Sequence, residues 1–465
     1  MTDRDPRPEA GSDELYGVTG DQVAAMRAAL DAQDLPLVED LTLGLHTADL
    51  ADLIEGLPTS ERHLLIDIIG ARLDPELLTF LEEPVRDDVL ERLSTKHVAA
   101  AVTELDTDDA LDVVASLDGP IQAEVLEQLE AADRATLEES LSLPEDSAGR
   151  LMEREFVALP SHWTVGEIID HLRDEAEKGG GSLPDEFYDL FVIDNDGRPI
   201  GIVSLSRILR SRRPVRLEDL MDRDINAIPL ATDQEDVANL FLQYDLASAP
   251  VVDEDGKLVG VITHDDIMDV IQDEAEEDIM LLAGVKEDDI FHATLKTSRS
   301  RLSWLVLSMI SAFTASLVIW YFKATIEQIV ALAILMPIVS ALGGNAGTQT
   351  MTVAVRAIAM KDLHRGNAAR IVGKEILVSA LNGAVLASMV GGVAGLWFSS
   401  LGLGVIIAAA LVITMLAAGG AGVVIPLALN RFGADPAVAS GVFLITVTDV
   451  VGLSAFLGFA ALYLL

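Results

Sequence analysis

Cysteine is absent from the 465 residues, so disulfides, thiolate metal sites and cysteine nucleophiles are excluded. Positive charge is scarce as well: 32 Lys and Arg stand against 75 Asp and Glu, for a formal charge of −43. No basic stripe is available to track a phosphate backbone, which argues against a nucleic-acid partner. No Gly-rich loop leads into a Lys-Ser/Thr pair, and no nucleophile and base stand out together, so the chain does not read as an enzyme. Met1–Ser12 is charged and Pro-rich with no apolar core. A signal peptide is therefore not expected, and the acidic portion is expected to stay in the cytosol.

What is present divides sharply in two. Residues 1–299 hold 70 of the acids and 24 of the bases, whereas residues 300–465 hold 5 acids and 8 bases among long runs of Leu, Val, Ile, Ala and Gly. An acidic, water-soluble portion is fused to a membrane-resident one. Acidity on that scale attracts cations, although solubility in a salty cytoplasm accounts for it equally well at this level.

Residues 1–18 read as a disordered tail rich in Pro, Asp, Glu and Gly. From 19 to 145 short amphipathic segments recur, such as Thr47-Ala-Asp-Leu-Ala-Asp-Leu-Ile-Glu and Asp106-Thr-Asp-Asp-Ala-Leu-Asp-Val-Val. Each opens on a residue suited to an N-cap, and together they predict a superhelix of short helices. An internal repeat follows over 146–215 and 216–272. One copy opens Leu151-Met-Glu-Arg-Glu and closes Phe191-Val-Ile-Asp-Asn-Asp-Gly; the other opens Leu220-Met-Asp-Arg-Asp and closes Val251-Val-Asp-Glu-Asp-Gly. Both read as strand, helix, strand, Asp-Gly turn, strand, and the pair resembles tandem CBS domains, an α/β ligand-sensing module. Residues 273–299 read as an acidic connecting helix carrying Glu274, Glu276, Glu277, Asp278, Glu287, Asp288 and Asp289.

From residue 300 to 465 the sequence predicts a transmembrane domain of five helices, at about 302–322, 329–357, 371–398, 403–430 and 436–464. Bases before the first span (Lys296, Arg299, Arg301), between the second and third (Arg356, Lys361, Arg365, Arg370, Lys374) and after the fourth (Arg431) belong on the cytosolic side. The N-terminus is then inside and the C-terminus outside, in a multi-pass protein of the cell (inner) membrane whose first partner is the lipid bilayer.

Asp449 lies near the middle of the last span, in Thr446-Val-Thr-Asp-Val-Val-Gly452. A charge at that depth costs about 2.5–3.5 kcal/mol or more and normally faces a water-filled path. The alternative is a protonated acid hydrogen-bonded to a neighbouring helix. Thr446 and Gly452 share its side of the helix, one offering a hydroxyl and the other bare backbone for a helix or a hydrated ion. In the second span, Gly343-Gly-Asn345-Ala-Gly347-Thr-Gln349 suits close packing or a polar pore wall. The stretches Gly391-Gly-Val-Ala-Gly and Ala417-Ala-Gly-Gly-Ala-Gly read as packing surfaces.

The Gly-Gly-Asn-Ala-Gly-Thr-Gln segment followed by Arg356-Ala-Ile-Ala, and Asp435-Pro-Ala-Val-Ala-Ser-Gly followed by Thr-Val-Thr-Asp449-Val-Val-Gly, resemble the second and last spans of the MgtE family. The order of helical N-domain, CBS pair, acidic helix and five spans resembles that family over nearly the whole chain. The resemblance implies a homodimeric Mg²⁺ channel or transporter with its pore on the dimer axis, and Mg²⁺ as both substrate and regulator. Asp449 then matches the pore aspartate, Ile445 a position used through its carbonyl, and Val442 one where many members carry proline. It also implies regulatory Mg²⁺ sites at Asp108, Asp112, Glu235, Asp245, Asp266, Asp269, Glu274, Glu277 and Asp278. Adenine nucleotide recognition by CBS pairs is only half kept. Thr263 and Asp266 are in place, but Arg207 stands where an acid follows Ser204 and Leu246 where an aromatic would stack, so ATP is a doubtful ligand. Channels for Co²⁺ or Mn²⁺, and a membrane-anchored CBS sensor that does not conduct, are the competing readings.

Overall fold

The computed structural model describes residues 17–178, 183–184, 187–285, 294–363 and 366–465. They belong to two compact units, Met1–Gln272 and Asp273–Leu465, each taken by itself. Nearly all of the predicted tail, and the connector acids Glu287, Asp288 and Asp289, lie outside the described residues.

In the first unit, nine short α-helices run from Gly20 to Leu141 around one apolar core. The first starts with a capping box, in which Thr19 and Gln22 satisfy each other's backbone N–H groups. Thr47–Glu55 is helical as its pattern predicts, but His46 rather than Thr47 caps it, Nδ1 accepting from the Ala48 N–H at 3.2 Å. Neighbouring turns of the superhelix are tied by arginine–aspartate pairs of similar sequence separation, two between the helices Thr59–Ile69 and Glu83–Arg92 (Arg62 to Asp88 at 2.8 Å, Arg92 to Asp67 at 2.6 Å) and one from Glu83–Arg92 to Thr107–Ser116 (Arg86 to Asp112). The guanidiniums of Arg62 and Arg86 are buried. A buried cation requires a partner, so these pairs hold the stacking of the superhelix in register.

The repeat folds twice into a three-stranded sheet. In the first copy β1 (Ala158–Pro160) runs parallel to β2 (Asp189–Ile193), which pairs antiparallel with β3 (Pro199–Ser204). In the second, β4 (Ile228–Pro229), β5 (Ser248–Val252) and β6 (Leu258–Thr263) repeat the pattern. The Asp-Gly signals fall in the hairpins, with Gly197 at φ +81° and Gly256 at φ +78°, the left-handed conformation such a turn demands.

The contiguous split at residue 215 is crossed by the packing. Glu153 of the first opening bridges Val261 in β6, and Asp222 of the second opening bridges Ile202 in β3. Met152 accordingly lies in the core of the second copy and Met221 against that of the first. Glycine permits the exchange: a Cβ on Gly260 would sit 2.5 Å from Met152 Sδ and 2.8 Å from the Glu153 carbonyl oxygen.

In the second unit, five helices are long and apolar enough to cross a membrane: Thr297–Tyr321, Ala331–Ala359, Ala368–Trp397, Leu401–Arg431 and Ser440–Tyr463. All five match the predicted spans within a few residues. The fourth is the most enclosed, and the small-residue stretches do pack: a Cβ on Gly391 would meet the Gly404 carbonyl oxygen at 2.7 Å, and one on Gly422 the Gly347 carbonyl oxygen at 3.0 Å. The connecting helix differs from its predicted extent. It begins at His264, directly after β6, and ends at Ala283, where Gly284 turns at φ +78°.

If the exchanged openings hold the two CBS copies together, Gly260→Ala costs about 1–3 kcal/mol, because backbone as well as Met152 must shift. A lowered thermal midpoint of the full-length protein checks this; an unchanged midpoint contradicts it.

Candidate cation sites

The exchange of openings builds an acidic joint in the first unit. Backbone pairing of Glu153 with Val261, at 2.8 and 2.9 Å, sets the Glu153 side chain beside Thr263, whose hydroxyl lies 3.2 Å from Glu153 Oε1. Thr263 also opens the connecting helix, where Asp266 Oδ2 accepts from its N–H at 3.1 Å and its hydroxyl at 2.6 Å. The N-domain meets this segment through Thr107, whose hydroxyl reaches both oxygens of Glu155 at 2.7 and 3.0 Å. Thr107 opens the helix Thr107–Ser116, so Asp108 and Asp109 follow in its first turn.

Carboxylates from three segments are therefore largely buried and close enough to act on one another's charge. Burial, then the charge of Asp266, pushes Asp109 up to about 7 and Glu153 up to about 8. The same two causes, in that order, hold Asp108 well above the ordinary carboxylate range. Burial raises Asp266 to about 6 against the lowering effect of its Thr263 hydrogen bonds. Burial followed by the charge of Asp265 raises Asp269. Asp108 Oδ1 is sealed from solvent and meets no donor among the described residues, an orphan acceptor that a cation or its water would satisfy. Among the described residues no three acidic or histidine side chains converge tightly enough to wrap a bare ion.

The predicted regulatory residues do not all meet here. Asp108, Asp266 and Asp269 do. Asp112 is held by the buried Arg86 guanidinium. Glu235 and Asp245 stand at opposite ends of the helix Gln234–Tyr244, about 15 Å apart at 1.5 Å per residue, so they cannot share an ion within one chain. In the second unit, Glu274, Glu277 and Asp278 lie along the connecting helix. Asp278 is raised by burial and then by the charge of Asp435, the N-cap of the last span. Glu153, Asp109 and Asp435 went unselected in the sequence. The repeat held one signal: an acid follows the methionine in both openings, as Met152-Glu153 and Met221-Asp222.

The intramembrane candidates scatter around the last span. Asp449 Oδ1 accepts from the Ser340 hydroxyl of the second span at 2.5 Å. Ile445 is exposed, and its carbonyl accepts from the Thr448 hydroxyl at 3.0 Å. Thr446 turns toward the first span, with its hydroxyl 2.6 Å from that of Ser311 and 2.7 Å from the Val442 carbonyl oxygen. Gly452 is buried against Val339 and Thr414, so its missing side chain serves helix approach. Asn345 and Gln349 expose their side chains on one face of the second span, with Thr348 and Thr352 beside them.

A membrane domain of five candidate spans with a carboxylate at mid-span, in a chain that also carries a CBS pair, is the layout of a membrane transport protein. The sequence profile of MgtE, a divalent cation transporter, matches residues 336–459. That of the MgtE intracellular N domain matches 45–146, and CBS domains match 148–213 and 217–273. The magnesium transporter MgtE of Thermus thermophilus is 30% identical over 446 residues, covering 95% of this chain and 98% of that one. The magnesium transporter MgtE of Bacillus subtilis is 28% identical over 421 residues, covering 90% and 92%. A crystal structure of the cytosolic domain of the Mg²⁺ channel MgtE in complex with ATP is similar at 29% identity, covering 53% of this chain and 99% of that one, with a TM-score of 0.48. The chain belongs to the MgtE family.

The raised carboxylates bind protons more readily in the folded chain than in the unfolded one, where they titrate near 4. The joint is therefore most stable below about pH 4 and loses stability as pH rises through the values near 6, 7 and 8 of Asp266, Asp109 and Glu153. Calorimetry of the full-length protein in detergent and chelator should show the soluble unit melting lower at pH 8 than at pH 5.5. Saturating Mg²⁺ should restore about 5 °C at pH 8 and little at pH 5.5. A midpoint insensitive to both removes the joint as a cation site.

Proposed function

We propose that the protein is a homodimeric Mg²⁺ channel that admits magnesium to the cytosol and is closed by Mg²⁺ bound to its own acidic portion. The observation that carries the transport half is Asp449, a carboxylate at mid-span in a helix of otherwise apolar and small residues. The exposed Asn345, Thr348, Gln349 and Thr352 support it. Polar side chains on the outer face of a span are costly against lipid and suited to a wet path between two copies. A hydrated Mg²⁺ passing such a carboxylate avoids the cost of dehydration. Membrane potential favours inward flow of a divalent cation, with the soluble portion and the positive loops on the cytosolic side.

The acidic joint supports the regulatory half. With Mg²⁺ scarce, Asp108, Asp109, Glu153 and Asp266 repel one another and the joint loosens; with Mg²⁺ abundant, a bridging ion favours the closed arrangement. Asp266 and Asp269 share one continuous helix with Glu274, Glu277 and Asp278, and its far end packs Leu281 against Met351, Val355, Ala437 and Leu444 of the second and last spans. Glu235 and Asp245 act in this scheme only across the dimer. Mg²⁺ is the regulator in this scheme, and the acids Glu153, Glu155 and Asp189 lining the cleft between the CBS copies give a polyphosphate no cationic partner there.

The test is Mg²⁺ uptake by proteoliposomes carrying the wild type or Asp449→Asn. Uptake by the wild type, reduced in the variant to that of empty vesicles with the dimer intact on sizing, is the expected result. Equal uptake moves the ion path elsewhere, and no uptake by either protein favours the non-conducting sensor. Replacing Mg²⁺ by Co²⁺ or Mn²⁺ in the same assay measures selectivity.

A further inference from the structure

The second and last spans touch along a seam made by small residues. A Cβ on Gly343 would fall 2.5 Å from Thr414 Cγ2 and 3.5 Å from Thr448 Cβ; one on Gly452 would fall 2.8 Å from Thr414 Oγ1 and 3.1 Å from Val339 Cγ1. Val339 and Gly343 are one turn apart on the second span, and Thr448 and Gly452 one turn apart on the last. Thr414 belongs to the fourth span, which packs into the same seam; Ser340 and Asp449 each follow a member of it in sequence, so the packing of the second and last spans there brings the hydroxyl to the carboxylate.

Three threonine hydroxyls of this region donate to their own helices. Thr414 gives its proton to the Ala410 carbonyl oxygen at 2.8 Å, Thr446 to that of Val442 at 2.7 Å and Thr448 to that of Ile445 at 3.0 Å. Ser340 instead reaches across to another span, to Asp449 Oδ1 at 2.5 Å, as Ser311 does to the Thr446 hydroxyl at 2.6 Å. No other side chain donates to Asp449 among the described residues.

We infer that Ser340 is the positioning residue of the pore carboxylate, holding Asp449 through Oδ1 so that Oδ2 is presented to the water shell of the passing cation. This rests on the reading of Asp449 as part of the ion path. The hydrogen bond does two things for that path. It supplies a donor to a carboxyl oxygen withdrawn from bulk water, which lowers the cost of burying that group there. It also removes side-chain rotation that would otherwise be lost each time an ion binds. Asn345 and Gln349, exposed on the same span, do neither for Asp449.

The test compares Ser340→Ala, Ser340→Thr and Asp449→Asn in full-length protein, by Mg²⁺ uptake into proteoliposomes over a range of Mg²⁺ concentrations, with sizing and thermal melting alongside. Ser340→Ala should raise the half-saturating Mg²⁺ concentration about tenfold, the scale of one hydrogen bond to a charged group. Its maximal rate and melting midpoint should stay near wild type, and Ser340→Thr, which keeps the hydroxyl, should restore half-saturation to within about twofold. If Asp449→Asn abolishes uptake while Ser340→Ala saturates like wild type, the positioning role is wrong and the pore reading stands. If Asp449→Asn transports normally, both fall. Equal impairment of the Ala and Thr variants with lowered melting makes Ser340 a packing residue and overturns the inference.

Discussion

A carboxylate withdrawn from water must find a proton, a hydrogen-bond donor or a cation, and the acids of this chain are distributed among those three solutions. In the superhelical portion the solution is internal: Arg62 and Arg86 reach back to Asp88 and Asp112, and the pairs fix how the short helices stack. In the last span it is a single hydroxyl, from Ser340 to Asp449. At the joint of Asp108, Asp109, Glu153 and Asp266 it is incomplete, because Thr263 satisfies part of Asp266 and Glu153 while Asp108 Oδ1 meets no donor among the described residues. Protons, or a bound cation, relieve that shortfall.

The devices that bring these acids together are backbone devices. Exchange of the CBS openings carries Glu153 from the first copy to the sheet of the second, and Gly260 is the residue whose lack of a Cβ lets Met152 cross. In the membrane portion Gly343 and Gly452 draw two spans close enough for serine to reach aspartate. Glycine and threonine thus set the distances, and aspartate and glutamate provide the charge. The helix His264–Ala283 carries Asp265, Asp266 and Asp269 toward its start and Leu281 near its end, so one element bears acids of the joint and a residue that packs on the spans.

Elements whose identity depends on period and composition were legible in the sequence. The five spans, the amphipathic N-terminal helices and the two sheets follow from apolar run length, helical spacing and the repeated Asp-Gly turns, and Asp449 stood out because charge is so rare around it. Partnerships set by tertiary contact were not legible. Nothing local to Asp112 announces Arg86, and nothing in the order of the repeat announces that its openings change places. Gly452 shares a helical side with Asp449, yet only packing shows that Thr414 and Val339 occupy the space beside it. The connecting helix starts earlier than its acid-rich stretch because Thr263 and Asp266 form its N-terminal cap, a signal hidden inside what reads as the end of a CBS domain.

The central claim is that cation bound to the acidic portion closes the path past Asp449. Its most direct measurement is electrical: full-length protein in a planar bilayer or excised patch, with open probability recorded while Mg²⁺ is stepped on the side of the soluble portion alone. The account predicts a steep fall in open probability as Mg²⁺ on that side rises, relieved when Asp108 and Asp266 are replaced by Asn. Openings indifferent to Mg²⁺ on that side, in a protein that still conducts, would contradict it.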